Sequence, residues 1–187
     1  MMKKCTVWMI ALFLSFGVAA ATAETAQAGL RLGFDVKWVP LSTDTIDEED
    51  DDDVTRNLGT MGFGARAMFG FEIFTVGLKI NYLSNRFTDS QFNYGELNTN
   101  IVGRVGLPIV DLAIFAELGP AFTTSFDQLG FNTALGIEYN VVGLSAFELY
   151  VGLAGQYVNL GLDLGNADTQ DLESTRLLVI VGFDFVL

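Results

Sequence analysis

Apolar and polar residues alternate with a period of two in eight separate stretches of this chain, and in each stretch one face carries no charge. A period of two is the spacing of side chains on opposite faces of a β-strand. The first stretch sets Leu30, Leu32, Phe34, Val36 and Trp38 against Arg31, Gly33, Asp35 and Lys37. The second sets Met61, Phe63, Ala65, Ala67, Phe69 and Phe71 against a face holding Arg66, and the third sets Val76, Leu78, Ile80 and Tyr82 against Lys79. Leu97, Thr99, Ile101, Val105 and Leu107 then oppose Arg104, and Leu112, Ile114, Ala116, Leu118 and Phe122 oppose Glu117. Phe131, Leu135, Ile137 and Tyr139 oppose Glu138, and Phe147, Leu149, Val151, Leu153 and Tyr157 oppose Glu148. The last stretch sets Leu177, Val179, Val181, Phe183, Phe185 and Leu187 against Arg176 and Asp184. At about 9 to 11 residues, each stretch is long enough to cross a bilayer as a tilted strand.

The direction of the charged face decides the class of barrel. With the polar face outward, an eight-stranded interior would have to hold nearly all of the Phe, Leu and Trp named above, and such an interior has little volume beyond packed side chains. The polar face is rich in glycine, which suits the crowded inside. Turning it toward lipid would place eleven charges there, at about 2–4 kcal/mol for each Arg or Lys at the midplane. Together these exceed a domain stability of about 5–15 kcal/mol. The consistent solution is all-β, an eight-stranded antiparallel up-and-down transmembrane β-barrel with an apolar outside. Beyond the leader described next, the chain has no apolar stretch long enough for a membrane helix.

Residues 1–23 read as a secretory signal peptide, and residues 24–187 as the barrel. Lys3 and Lys4 form a positive n-region, Val7 to Ala20 an apolar h-region, and Ala21-Thr22-Ala23 a small-x-small cleavage site. An uncleaved anchor is the competing reading, and the Ala-rich end favours cleavage. A lipoprotein does not fit, because Cys5, the single cysteine, precedes the apolar run. Loss of Lys3 and Lys4 leaves eight basic side chains against 23 acidic ones, a formal charge of −15 that disfavours nucleic acid as a partner. The chain contains no histidine, which removes Ser-His-Asp triads, Cys-His dyads and His-containing zinc sites.

The links between stretches alternate in length. Those near 42–58, 83–96, 123–129 and 159–175 are polar and mostly long, and those near 72–75, 108–111 and 140–146 are short. In a barrel entered from the periplasm, the long links are extracellular and the short ones are periplasmic turns. Trp38, Tyr82, Phe122 and Tyr157 end the upward stretches, and Phe71 and Tyr139 end downward ones, as aromatic girdles do. Pro120 falls near a rim, where the loss of a ladder bond is tolerated.

On this pattern the chain resembles the small eight-stranded outer-membrane barrels of Gram-negative bacteria, the OmpA and OmpX type, over the whole length after residue 23. Gly182, Phe185 and Leu187 are similar to that family's C-terminal assembly signal, although the chain ends in Leu rather than Phe and carries Ile180 where a polar residue is usual. The resemblance implies localisation in the bacterial outer membrane and a monomeric state. It also implies outer-membrane lipid and lipopolysaccharide as surroundings, and periplasmic chaperones and the barrel assembly machinery as partners in biogenesis.

Arg31, Asp35, Lys37, Arg66, Lys79, Arg104, Glu117, Glu138, Glu148, Arg176 and Asp184 are expected to line the lumen. Six are basic and five acidic, a near-balance that favours paired ions filling the interior. The function expected is structural or surface-interactive, with no cofactor and no catalytic residues. The alternatives are a small-solute, porin-like channel and, less favoured, an outer-membrane enzyme; Glu117, Glu138 and Glu148 lack an accompanying nucleophile and base. One external link holds Asp44 and then the run Asp47, Glu48, Glu49, Asp50, Asp51, Asp52, Asp53. Mutual repulsion favours an extended, solvated loop there. Weak divalent-cation binding is conceivable at such an oxygen-rich run, but it lacks the alternate spacing and Gly-assisted turn of a calcium loop, so no firm metal site is assigned.

Overall fold

A computed structural model describes residues 29–47, 52–54, 60–70, 73–85, 94–107, 110–124, 128–144, 146–163 and 171–187. The leader at 1–23 and the girdle residue Phe71 lie outside the described residues.

The described chain is strand throughout its regular structure. β1 (Gly29–Asp47) is followed by a three-residue strand, β2 (Asp52–Val54), and then by β3 (Met61–Gly70), β4 (Phe74–Asn85) and β5 (Tyr94–Leu107). β6 (Leu112–Thr123), β7 (Gln128–Leu144), β8 (Phe147–Asp163) and β9 (Asp171–Val186) complete it. Apart from β2, which pairs only with the far end of β1, each strand pairs antiparallel with the next, and β9 returns to pair with β1. The result is a closed eight-stranded up-and-down barrel. Closure extends to the last residue, where Leu30 and Leu187 exchange backbone hydrogen bonds of 3.3 and 2.8 Å.

The side-chain parity is the one the alternation predicts. Leu30, Phe34, Phe63, Leu78, Ile101, Ile114, Leu135, Leu153 and Val181 are exposed on the outer wall. Asp35, Arg66, Lys79, Arg104, Glu117, Glu138, Arg176 and Asp184 are buried inside.

The wall is longer than the alternation suggests. β8 has 17 residues, a contour of about 55 Å that a tilt of about 40° reduces to roughly 40 Å along the axis, well beyond an apolar band of about 25 Å. Residues expected in the links near 42–58, 83–96 and 159–175 therefore continue the wall: the β1–β9 ladder runs on from Leu41↔Leu177 to Asp47↔Asp171. The alternation of hydropathy stops earlier because outward positions here are polar, with Thr43, Glu173 and Thr175 exposed where Leu and Phe stand lower down. On this outer surface Tyr157 Oη and Asn159 Nδ2 both donate to Glu173 Oε1, each at 3.1 Å.

Two prolines leave local marks. At Pro40 the β1–β9 register shifts by one between Trp38 and Leu41. Val39 keeps the parity of Lys37 and points inward, and beyond the bulge the parity of β1 is reversed, so Asp44 points inward as well. Pro120 sits in the body of β6, paired with Phe131 of β7, while the β5–β6 ladder shows no pairs between Asn98↔Ala121 and Ile101↔Leu118. Proline has no N–H to give at this point. Asn132 Nδ2 instead donates to the carbonyls of Gly119 and Pro120 at 3.1 and 3.3 Å.

Inward glycines create room for large neighbours. A Cβ at Gly33 would overlap the Asp184 carboxylate, and one at Gly182 would overlap the Tyr150 hydroxyl and approach the Phe34 carbonyl to 2.6 Å. Outward Gly155 has nothing within 4 Å of such an atom. Gly182→Val should therefore lower the stability of the refolded barrel by about 1–3 kcal/mol through overpacking. Gly155→Val should stay within about 0.5 kcal/mol of the parent. The urea midpoints of the two variants, followed by tryptophan fluorescence, test this contrast.

Candidate functional site

The lumen brings together side chains from every barrel strand, because alternate residues of each converge on one axis about which the sheet closes. All eleven charges expected there point inward, and each lies within 4.0 Å of an opposite charge. They form clusters stacked along the axis.

Nearest the short-turn rim, Arg31 Nη1 meets Glu148 Oε2 at 2.5 Å, with each side chain 16% exposed. Above it, Arg66 grips Asp184 with two hydrogen bonds, Nε to Oδ1 at 2.9 Å and Nη2 to Oδ2 at 2.7 Å. Its Nη1 donates to Glu138 Oε1 at 2.6 Å, and Arg104 Nε donates to Glu138 Oε2 at 3.0 Å. The Arg66 guanidinium also lies 4.2 Å from the centre of the Tyr150 ring. Two cations and two anions thus balance inside one buried cluster, and the planar fork of Arg66 supplies the directed bonds that such burial demands.

A second balanced cluster occupies the middle. Lys79 Nζ donates to Glu117 Oε1 at 2.8 Å and lies 3.1 Å from Asp35 Oδ2. Lys37 Nζ donates to Asn81 Oδ1 at 2.5 Å and lies 3.9 Å from Asp35 Oδ1. Asn81 and Asn100 each donate to Glu117 Oε2, at 3.2 and 2.8 Å, and Asn132 donates to Asn100 Oδ1 at 2.9 Å.

The third cluster lies toward the long-loop rim. Arg176 binds Glu96 in a two-bond fork, Nη1 to Oε1 at 3.0 Å and Nη2 to Oε2 at 2.7 Å, and its Nε donates to Ser174 Oγ at 2.7 Å. Ser174 in turn donates to Asp44, which also accepts from Ser42 at 2.7 Å. Asn85 and Asn98 complete the shell of Glu96 at 3.0 and 2.8 Å.

Asp44 consequently leaves the acidic loop to which the sequence reading assigned it: the bulge at Pro40 turns it into the barrel, where it is buried. Of the remaining acidic run, Asp47 ends β1, and Asp52 and Asp53 belong to β2, opposite Ile46 and Thr45. This part of the run is paired strand rather than extended loop, because the backbone ladder continues above the apolar band. Glu48, Glu49, Asp50 and Asp51 lie outside the described residues. Among the described residues, no group of three or more His, Cys, Asp or Glu is arranged to hold a metal ion.

Glu96, Ser174 and Asn85 are absent from the sequence reading, whereas Asn81, Asn98, Asn100, Asn132 and Tyr150 share the parity of the charged faces read from the sequence. Glu96 shares the parity of Asn98, Asn100 and Arg104, so extending the fourth stretch by one alternate residue would have found it. The interior is also more apolar than a charged lumen suggests. Val39, Leu83, Val158, Leu160 and Leu172 are buried inside toward the long-loop end, and Phe115, Leu178 and Ile180 lie among the ionic clusters. Gly182 faces inward against Tyr150, while Phe185 and Leu187 face out.

Closure, an apolar outer wall and a packed polar lumen define a small eight-stranded barrel of the outer-membrane type. No protein-family model matches the sequence, and no curated protein does. Solved structures share its fold. The outer membrane protein AlkL, determined in lipid bilayers, is similar with a TM-score of 0.57 and 11% identity over 89% of this chain and 93% of that one. OprG of Pseudomonas aeruginosa has a TM-score of 0.51 and 10% identity over 87% and 96% of the two chains. Neisserial surface protein A has a TM-score of 0.51 and 10% identity over 85% and 98%.

Breaking the Arg66 cluster should be more damaging than breaking the rim pair. Glu138→Leu takes the paired carboxylate from buried Arg104 and one of two carboxylates from buried Arg66, and is expected to cost about 3–5 kcal/mol. Arg31→Ser removes a partly solvated pair and is expected to cost about 1 kcal/mol or less. Equilibrium unfolding of both variants in urea, with refolded protein in lipid vesicles, gives the comparison.

Proposed function

We propose that this protein is an integral β-barrel of the bacterial outer membrane with a structural or surface-interactive role, and that its lumen is closed by its own side chains. The observation that carries this reading is the series of ionic clusters across the lumen. An ion crossing the barrel would have to pass Arg31–Glu148, the Arg66–Asp184–Glu138–Arg104 cluster, the Lys79–Glu117–Asp35 cluster and Arg176–Glu96 in turn. Each is held by short, directed bonds among side chains that are buried or nearly so. Opening a path means separating buried charges without water to receive them, at several kcal/mol per ion.

The same pairing weighs against catalysis. A general acid or base needs a group free to exchange a proton with a substrate, whereas Glu117 and Glu138 are each committed to a cation and to further hydrogen bonds. Interaction chemistry is then concentrated where the wall rises above the apolar band, on polar outer residues such as Tyr157, Asn159 and Glu173 and on the acidic run at the end of β1.

Planar-bilayer recording tests the closed lumen. Residues 24–187, refolded and inserted, are expected to show no reproducible conductance steps, and the triple variant Arg31→Ser, Arg66→Ser, Arg104→Ser is expected to stay silent as well, because the Lys79–Glu117–Asp35 and Arg176–Glu96 clusters still close the lumen. Regular steps from the parent protein, altered by the triple substitution, would replace this reading with that of a charge-lined channel.

A further inference from the structure

The outer wall changes character over a single step of the ladder. Leu41 and Leu177 face each other across β1 and β9, 66% and 37% exposed, with Gly155 of β8 completing the row. The next registered outward row holds Thr43, Thr175 and Tyr157, and the one above it Thr45, Glu173 and Asn159. All six are exposed or half-buried. Beside them Phe131, 48% exposed and registered with Asn159, sets its ring 5.7 Å from that of Tyr157. Two rows of hydroxyl, amide and carboxylate groups, with an aromatic pair at one end, thus stand directly on the apolar wall.

The bonding capacity of this patch is only partly used. Tyr157 Oη and Asn159 Nδ2 both donate to Glu173 Oε1, which fixes the carboxylate in place. Glu173 Oε2 and Asn159 Oδ1 have no hydrogen bond among the described residues. The hydroxyls of Thr43 and Thr175, each able to give one hydrogen bond and to accept others, lie in the row alongside. Every described lysine and arginine faces the lumen, so the described outer wall offers no cation to an anionic group. A ligand recognised here therefore brings hydroxyl groups rather than phosphate or carboxylate. An ammonium would use the Glu173 carboxylate alone and leave the threonines without a role.

We propose that this patch binds the sugar headgroup of a glycolipid in the leaflet on the long-loop side. A sugar ring carries neighbouring hydroxyls that donate to a carboxylate and an amide oxygen while accepting from threonine hydroxyls, and its C–H faces pack on the electron-rich faces of aromatic rings. Position restricts the source of the sugar. Leu41 and Leu177 lie in the row immediately below, so a group held on the patch sits where hydrocarbon ends and headgroups begin. The glycolipid is a partner for the polar wall to which interaction is assigned above, and its binding there rests on the barrel being embedded in a membrane.

Trp38, the one tryptophan of residues 24–187, is 43% exposed in the second apolar row below the patch, paired with Val179. Its fluorescence therefore reports which lipid stands beneath the patch. Residues 24–187 are refolded into phosphatidylcholine vesicles in which a fraction of the lipid carries brominated acyl chains, and quenching of Trp38 measures the preference of this part of the wall for the brominated lipid. Brominated glucosyl diacylglycerol is expected to be preferred over brominated phosphatidylcholine about tenfold, the gain from roughly one hydrogen bond to a charged group. Asn159→Leu with Glu173→Leu, and separately Thr43→Val with Thr175→Val, should each remove most of that preference. Thr99→Val, on the far wall, should leave it unchanged. Equal quenching by the two lipids in the parent would overturn the site, as would a preference that both double variants keep. An equal preference for brominated phosphatidylglycerol or phosphatidylethanolamine would overturn it by assigning the patch to an anion or an ammonium. Shielding of Trp38 from every brominated lipid as the protein is concentrated in the bilayer would overturn it in favour of a second barrel. Absence of quenching by brominated phosphatidylcholine at any protein density would instead overturn the membrane reading, so the two failures are distinguishable.

Discussion

Every backbone N–H and C=O that crosses hydrocarbon must find a partner within the protein, and the pairing of β9 with β1 meets that demand for the last two strand edges. An open sheet of the same strands would expose two edges to lipid. The remaining features follow from closure. A closed sheet with eight strands has an inside too narrow for a solvent channel unless side chains retreat from it, and an outside whose only suitable chemistry is apolar. Alternation along each strand then becomes a division between lipid and lumen, and inward residues are chosen by volume and pairing rather than by hydropathy alone.

Volume explains why glycine and charge occur together. Gly33 leaves the space that the Asp184 carboxylate occupies beside Arg66, and a Cβ at Gly64 would come within 2.8 Å of Asp35 Oδ1 and 2.6 Å of Asn81 Oδ1. Gly182 leaves the space that the Tyr150 hydroxyl fills. The long side chains cross the axis because small ones stand opposite. Charge is then made tolerable by local balance. The Arg66 and Lys79 clusters each hold two cations and two anions, so neither depends on compensation across the length of the barrel.

Strand cores, their parity and the inward direction of the eleven charges were legible in the sequence because the lipid boundary imposes a sharp hydropathy contrast there. Above that boundary the contrast fades while the ladder continues, and the legibility ends with it. Glu96 was lost for this reason, since its outward neighbours Gly95 and Leu97 do not form the apolar pair that marks a membrane strand. Asp44 was misplaced because one extra residue at Pro40 reverses parity, and a proline inside a strand run is the signal that such a bulge leaves. The apolar inward residues Leu83, Leu160 and Leu172 could not be assigned from pattern, because above the membrane an apolar side chain belongs inside, the reverse of the rule below.

A buried ion pair often adds little net stability over a well-packed apolar replacement, so the charged lumen needs a reason other than energy. Register supplies one. A slip of one residue between neighbouring strands turns a whole face inside out. In β1 such a slip would carry Arg31, Asp35 and Lys37 from the lumen to the lipid, at about 2–4 kcal/mol for each basic side chain near the midplane and less for the acid. The same slip in a strand with apolar residues on both faces would meet little resistance. β7 approaches that condition beyond Asn140, where Val141, Val142 and Leu144 are all exposed, and there the ladder does shift and separate from β6. Charges facing the axis therefore hold each strand in register by excluding the alternative, and the ion pairs keep that exclusion from destabilising the barrel.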